Sequence, residues 1–315
     1  MTSAVCTLFE GHYHYGVAAL INSLYKNGFR GNVFVGYRGQ NLPPWASNAS
    51  SNKDLDWDGA KSVEVLGGLH VHFLPIQTDY HLAHYKPKFM LELFDGCTGN
   101  ANFLAYFDPD IVIKCRWDFY ENWMEHGVAM VHEITSNDMP SSHPIRREWE
   151  SVASRCDLTP VRNLQSYINS GFCGVSKKHI DFLFIWSKVV DTAIEYYNPN
   201  RDQFMSLDRT YPFYSIDQDA FNVAAMCCKV PISEIGPEGM DFVHGGWTMS
   251  HAVGSPKPWK KNFIWSAIKG SPPSLADCRF WSYADGPLVY YPSMQVKVKR
   301  LSVSIGNFIG RFYRL

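Results

Sequence analysis

The sequence has no apolar run of 18 residues, no Cys-x-x-Cys pair and almost no net charge. The first absence argues against a membrane-spanning helix. The second favours buried thiols over zinc or redox chemistry for the eight scattered cysteines. The 29 Lys and Arg residues nearly balance the 30 Asp and Glu residues, so no basic field is present to hold nucleic acid. The first residues also lack the features of a secretory signal, and we therefore expect a cytoplasmic protein.

The charges are unevenly distributed along the chain. Residues 286–315 carry five cations and no acidic residue, while residues 1–285 carry six more acidic than basic side chains. Apolar and aromatic residues are interspersed with these cations, and Gly306 and Gly310 weaken this tail as a helix. Two expectations stay open for the tail. It either contacts anionic lipid on the cytoplasmic membrane face or folds back on the acidic body.

Short apolar strands alternate with helical patterns through the first 115 residues. This alternation favours an α/β sheet of nucleotide-binding type. Strands are predicted at 4–9, 32–37, 69–75, 102–107, 111–113, 128–132 and 167–175. Helices are predicted at 15–26, 87–94 with Pro87 in the first turn, 117–124, 145–155, 181–196 and from about 217. We expect a mobile surface loop at 46–59 and ordered loops over a site at 231–273.

Two carboxylates follow the predicted strand at 102–107. Asp108 and Asp110 flank Pro109, which breaks the strand so that both carboxylates can turn toward one cation. Oxygen ligands of this kind suit Mg²⁺ or Mn²⁺. The spacing alone is weak, because a polar turn between two strands gives the same pattern.

A second and more specific pattern lies at residues 251–259, which read His-Ala-Val-Gly-Ser-Pro-Lys-Pro-Trp. The imidazole of His251 can complete a metal site. Gly254 lets the backbone approach a phosphate, and Lys257 supplies a positive charge. Each residue alone has an ordinary explanation in a loop, but the combined spacing predicts a clamp for a diphosphate.

The segment 251–259 resembles the H-x-x-G-x-x-K-P-W signature of the retaining GT-A glycosyltransferases of family 8, which includes glycogenin and bacterial lipopolysaccharide galactosyltransferases. Further segments are similar to motifs of this family in order and spacing. They are residues 7–24 for the opening strand and helix, Lys88 before the D-x-D strand, Asn169-Ser-Gly171, and Asp217-Gln-Asp219 ahead of Asn222. The resemblance implies an α/β protein of GT-A fold, with a Rossmann-like nucleotide-binding half, a mixed central sheet and a C-terminal extension.

The resemblance also implies an activity in polysaccharide biosynthesis. It is the metal-dependent, retaining transfer of a hexose, galactose or glucose, from a UDP-sugar to a saccharide or glycolipid acceptor. Asp108, Asp110 and His251 are the implied ligands of Mn²⁺ or Mg²⁺. Gln218 and Asp217 are the implied catalytic residues, with the amide oxygen of Gln218 below the sugar. The implied donor-binding residues are Thr7, Leu8, Tyr13, Lys88, Asp108, Asn169, Ser170, Gly254 and Lys257.

We expect one GT-A domain over residues 1–285 and a tail at 286–315. A nucleotide-sugar-binding half at about 1–115 would precede an acceptor-binding half at about 116–285. The loops at 46–59 and 133–165 match no motif of the family and are expected to recognise the acceptor.

Two alternative functions stay open at this stage. A sugar-nucleotide nucleotidyltransferase would carry a glycine-rich basic loop near the N-terminus, which residues 10–13 do not form. A non-catalytic sugar-binding protein of the same fold would have lost metal or clamp residues, and all of them are present here.

Overall fold

Strands and helices alternate along the chain in a computed structural model that describes residues 2–135, 138–197, 201–206 and 208–313. The strands are β1 (Ser3–Glu10), β2 (Gly31–Arg38), β3 (Ser50–Ser51), β4 (Lys61–Leu66), β5 (Leu69–Pro75), β6 (Phe103–Phe107), β7 (Ile111–Ile113), β8 (Val128–His132), β9 (Ile168–Ser176), β10 (Ile232–Ile235) and β11 (Met249–His251). The helices are α1 (His14–Lys26), α2 (Leu82–Glu92), α3 (Trp117–Glu125), α4 (Pro144–Arg155), α5 (Asp181–Tyr197), α6 (Ile216–Cys227), α7 (Phe263–Ile268), α8 (Leu275–Ser282) and α9 (Ser293–Gly310).

A nine-stranded mixed sheet forms the centre of the molecule, in the order β10-β8-β9-β6-β1-β2-β5-β4-β3. Strand β1 pairs in parallel with β2 and β6, and β2 pairs in parallel with β5. Strand β9 is antiparallel to both of its neighbours, β6 and β8. A separate two-stranded sheet joins β7 to β11 in antiparallel register. The expected mixed α/β fold is confirmed.

Both faces of the large sheet are covered by helices, which explains why its central strands are apolar along their length. In β1, Cys6 and Leu8 contribute to the cluster that contains α2, α4, α5 and α6. Val5 and Phe9 point to the opposite face and join α1 and α3. The core therefore has three layers, in which the sheet with β1 and β6 at its centre lies between two layers of helices.

Three local predictions differ from the structure. Helix α2 begins five residues earlier than predicted, because the side chain of His81 accepts a hydrogen bond from the Ala83 N–H and caps it, so Pro87 lies inside the helix. The loop predicted as mobile includes β3, which pairs with β4. The tail, predicted to be a poor helix, forms the 18-residue helix α9.

No helix in the described ranges combines the length and the apolar character that crossing a bilayer requires. Arg314, one of the five tail cations, lies outside the described residues.

Candidate functional site

A cavity of about 860 Å³ opens where β1 and β6 end, between the N-terminus of α6 and the segment that follows β11. In an open α/β sheet, this carboxyl edge is where ligands commonly bind. Its lining includes residues from both expected halves of the domain, for example Glu10 and Lys86 from the first half and Asn169 and Lys257 from the second.

Backbone pairing carries the two aspartates and His251 to one edge of this cavity. The N–H of Asp108 donates to the carbonyl oxygen of Gly171 at 2.7 Å, which continues the β6–β9 pairing by one residue. Strand β11 then pairs with β7 so that His251 lies opposite Ile111, directly after Asp110. Residues more than 140 positions apart in sequence therefore meet because the chain pairs there, and not because of local spacing.

Asp108, Asp110 and His251 place one ligand atom each within 4.8 Å of the others. The Nε2 atom of His251 lies 3.2 Å from Oδ1 of Asp110 and 3.8 Å from Oδ2 of Asp108. Asp110 and His251 are buried, and Nδ1 of His251 has no hydrogen-bond partner among the described residues. Two carboxylates and one imidazole form a donor set that Mn²⁺ or Mg²⁺ accepts.

Gly171 keeps the space around this cluster open. A Cβ at this position would lie 2.6 Å from Cε1 of His251, 2.8 Å from Oδ1 of Asn169 and 3.0 Å from Oδ2 of Asp108. Any larger residue would displace a member of the cluster. The arrangement therefore fits a divalent cation held by these three side chains.

Lys257 closes the other side of Asp110. Its ammonium lies 2.5 Å from Oδ2 of Asp110 and donates to the carbonyl oxygen of Ala252 at 2.8 Å. Burial raises the pKa of Asp110, but the charges of His251 and Lys257 outweigh burial and hold that pKa below its usual range. Gly254, between the histidine and the lysine, has a φ of +80°, a conformation that glycine adopts without strain.

Lys86 is a buried cation at the centre of the site that sequence reasoning missed. Its ammonium lies 3.0 Å from Oδ1 of Asp108 and 3.0 Å from Oδ2 of Asp217. Burial lowers the pKa of Lys86, but the two carboxylates outweigh burial and raise that pKa above its ordinary value. Burial likewise raises the pKa of Asp217, and Lys86 is the largest of the opposing effects that hold it low. One cation thus links the cluster of Asp108, Asp110 and His251 to the N-terminus of α6.

Hydrogen bonds between α6 and β9 fix the remaining polar groups. The Asn222 side chain both donates to the Ile168 carbonyl oxygen at 2.8 Å and accepts from the Ile168 N–H at 2.9 Å. One turn earlier, the amide oxygen of Gln218 accepts from the Ser170 N–H at 3.1 Å, and the Ser170 hydroxyl donates to Asp217 at 2.7 Å. The oxygen of Gln218, expected to face a sugar, is therefore engaged by β9.

Asp219, on the same turn of α6, also lines the cavity. It accepts hydrogen bonds from the Tyr167 hydroxyl at 2.6 Å and from the Ser215 N–H at 2.9 Å. Burial outweighs these bonds and raises the pKa of Asp219 to about 8. Asn169, whose amide nitrogen donates to Glu133 at 2.6 Å, completes this wall.

Most of the predicted site residues come together in this cavity. Its lining includes Leu8, Tyr13, Asp108, Asp110, Asn169, Ser170, Asp217, Gln218, His251, Gly254 and Lys257. Thr7 does not line it. Its side chain is fully buried within β1, and Oγ1 has no hydrogen-bond partner among the described residues.

Lys88, which was expected to bind the donor, also lies outside the cavity. Its ammonium pairs with Asp191 at 2.8 Å and lies 4.3 Å from the ring centroid of Tyr80. Residues two positions apart on a helix point to nearly opposite sides. When Lys86 faces the cavity, Lys88 must therefore face α5. The phase of α2, set by its cap at His81, decides between the two lysines.

The two loops expected to recognise an acceptor differ in whether they line the cavity. Residues 133–135 and Met139, His143 and Ile145 line the cavity, whereas residues 46–59 do not. Phe204, Arg209, Tyr211 and Tyr214 form another part of the wall that the sequence did not indicate.

Comparison with solved structures assigns the fold to the GT-A class. The bifunctional glycosyltransferase WbbM in its apo form aligns with a TM-score of 0.56 and 14% sequence identity, over 96% of this chain and 52% of WbbM. The present chain thus spans about half the length of that protein. The galactosyltransferase LgtC, solved in complex with donor and acceptor sugar analogs, aligns with a TM-score of 0.50 and 13% identity, over 94% of this chain and 99% of LgtC.

No protein-family model matches the chain, and no curated protein matches it in sequence. The likeness to WbbM and LgtC is therefore a likeness of fold, and the activity has to be argued from the site.

Proposed function

We propose that the protein is a metal-dependent glycosyltransferase that moves a hexose, galactose or glucose, from a UDP-sugar to a saccharide or glycolipid acceptor with retention of the anomeric configuration. One observation carries the proposal. Asp108, Asp110 and His251 converge at the edge of a cavity that also holds Lys257 and Gly254. A divalent cation bound by the three ligands would neutralise charge on a diphosphate and so activate UDP as a leaving group.

Lys257 would stabilise the negative charge on the UDP leaving group. Burial lowers the pKa of Lys257, but Asp110, Tyr13 and Asp108 together raise it above the ordinary value, so the ammonium remains charged. With a cation bound to Asp110, the Lys257 ammonium would be available to a phosphate oxygen of the donor. Tyr13 lies in the same lining, with the ammonium 5.7 Å from its ring centroid, and is the aromatic residue that we assign to contact with the uracil base.

The wall formed by α6 and β9 would hold the sugar. Asp217, Asn169 and Gln218 present carboxylate and amide groups to the cavity, and such groups bind sugar hydroxyls. Lys86 compensates the negative charges of Asp108 and Asp217, and its own charge helps to hold the pKa of Asp217 below the ordinary value. The aromatic and apolar wall near Tyr211 and Tyr214 supplies a surface for an acceptor.

The test is slow donor hydrolysis, which needs no acceptor. The full chain is incubated with Mn²⁺ and a panel of nucleotide-sugars, and released nucleotide is measured. UDP-galactose or UDP-glucose should be cleaved, and Asp110→Ala should abolish the cleavage. Release of the α-anomer of the sugar, observed by NMR before mutarotation, supports retention.

Three results would contradict the proposal. If Asp110→Ala still cleaved the donors in the absence of metal, the proposed metal site would be wrong. Reaction of sugar-nucleotides with pyrophosphate in place of water would indicate a nucleotidyltransferase. Binding of sugars without any cleavage would indicate a non-catalytic protein of this fold.

A further inference from the structure

Helix α9 docks on the protein by one face. Val296, Val303, Gly306 and Gly310 are buried there against α7 and α8 and the loop between them. A Cβ on Gly306 would lie 3.0 Å from the carbonyl oxygen of Phe263, so the glycine lets the helix approach closely. The glycines that weaken the helix in isolation therefore allow its docking.

The opposite face of α9 is apolar and uncovered. Met294, Val298, Leu301, Ile305, Phe308 and Phe312 repeat at intervals of four and three residues, which places them in one stripe along the helix and its last turn. Each of these side chains is between 37% and 69% exposed. A stripe of this length on a helix that already has a packed face is not needed for folding.

Helix α7, which packs against α9, carries further exposed apolar side chains. Trp265 and Ile268 are about half exposed, and the Tyr313 hydroxyl donates to the carbonyl oxygen of Ile268 at 3.1 Å. Lys269 lies 5.0 Å from the ring centroid of Trp265. Exposed aromatic rings beside cations are typical of proteins at the membrane interface. We call this surface, the stripe with Trp265 and Ile268, the α9 face.

Cations lie along one edge of the α9 face. Lys297, Arg300 and Arg311 fall on one edge of the stripe by helical geometry. Arg300 is paired with Asp285, whereas Lys297 and Arg311 form no ion pair with any described residue. No acidic residue follows Asp285 in the sequence.

This charge pattern discriminates between possible occupants. Two copies of the chain that packed their stripes together would bring cations against cations without an acidic partner on the helix. Anionic headgroups would instead neutralise Lys297 and Arg311 while the stripe enters the acyl boundary.

We propose that the α9 face binds a membrane surface that contains anionic lipid. The inference does not depend on the proposed transfer reaction. It does bear on it, because Val296 and Val303 belong to the same packed cluster as Trp259 of the segment 251–259. Docking would therefore hold the part of the protein that carries Lys257 at the membrane.

The experiment is co-sedimentation of the full chain with vesicles of phosphatidylcholine alone or of phosphatidylcholine and phosphatidylglycerol in equal parts. We expect binding to the anionic vesicles that weakens as salt is raised, and little binding to the neutral ones. Leu301→Asp should reduce binding by roughly 10- to 100-fold, since a charge replaces an apolar side chain that would enter the acyl boundary. Replacing Lys297 or Arg311 by Gln should reduce it about fivefold each.

Gln295→Asp is the matched control. It adds the same charge on the same helix at an exposed position outside the stripe, so it should bind vesicles far better than Leu301→Asp. Thermal unfolding should show a folded protein in both variants, because neither residue is buried.

Absence of binding to anionic vesicles, or equal binding by the two variants, would overturn the proposal. So would a dimer in solution that Leu301→Asp dissociates, because the α9 face would then belong to a second copy. Donor hydrolysis measured without vesicles should be unchanged in Leu301→Asp, which separates a failure of this proposal from a failure of the proposed activity.

Discussion

At the scale of single residues, the site depends on buried charges that compensate one another. Lys86 is the clearest example, since it is the cation that two carboxylates share in the interior. A buried carboxylate that loses its partner is costly, whereas an exposed ion pair contributes little. Lys86 and Lys88 lie two residues apart on one helix and give a direct comparison.

Lys86→Ala should lower the free energy of unfolding by about 3–5 kcal/mol, because it leaves Asp108 and Asp217 without their shared cation. Lys88→Ala removes a half-exposed pair with Asp191 and should cost at most about 1 kcal/mol. Urea denaturation measures both. Donor hydrolysis should be lost in Lys86→Ala and retained in Lys88→Ala. An equal loss of hydrolysis in both variants would indicate that Lys88 binds the donor.

Gly171 and Gly174 offer a second comparison, on strand β9. Gly171→Ala would push a methyl group into His251 and Asp108, and we expect metal affinity to fall roughly 10- to 100-fold. Gly174→Ala meets Cγ of Met124 at 2.8 Å, a flexible side chain that can move. Calorimetry with Mn²⁺ should therefore distinguish the two variants, and unchanged affinity in Gly171→Ala would contradict the assignment of the ligands.

At the scale of elements, helix α6 is the part that holds the proposed sugar-binding wall in place. Asn222 fixes it to Ile168, and Asp219 ties its first turn to Tyr167 and Ser215. Asp219 makes this attachment sensitive to pH, because burial raises its pKa to about 8 in the folded protein.

The sign of this effect follows from proton binding. Between about pH 4 and pH 8 the folded protein keeps the Asp219 proton while the unfolded chain releases it, so this group lowers stability as the pH rises. Histidines such as His72, whose pKa burial lowers to about 4, act in the opposite direction below about pH 6.5. The effect of Asp219 is therefore isolated between about pH 6.5 and pH 8.

In that window the wild-type free energy of unfolding should fall more steeply with pH than that of Asp219→Asn. Urea denaturation at several pH values measures the two slopes. The substitution also weakens one hydrogen bond, which shifts the whole curve but leaves its slope unaffected. Parallel slopes would show that Asp219 is already ionised in the folded protein.

At the scale of the whole molecule, the features that could be predicted from the sequence are those that a short segment encodes by itself. The D-x-D turn, the segment 251–259 and the start of α6 each carry their own spacing, and the mixed α/β sheet of the GT-A fold follows the predicted alternation of elements. The structure brings these motifs together at one cavity.

What the sequence missed depends on relations between elements. The choice of Lys86 over Lys88 depends on where α2 begins, and a histidine cap at His81 is an uncommon start signal. The stability of α9 depends on its contacts with α7 and α8, which override the low helix propensity of two glycines. The aromatic wall near Tyr211 and Tyr214 comes from a connection with no periodic pattern.

The central claim, a cation and a lysine that together hold a diphosphate, is tested most directly by calorimetry of the full chain with UDP, in the presence of Mn²⁺ and after its removal by a chelator. We predict that UDP binds with Mn²⁺, that its binding is weak or undetectable without Mn²⁺, and that Asp110→Ala and Lys257→Ala each lose the metal-linked part. Equal UDP affinity with and without Mn²⁺, or no binding in either condition, would contradict the account.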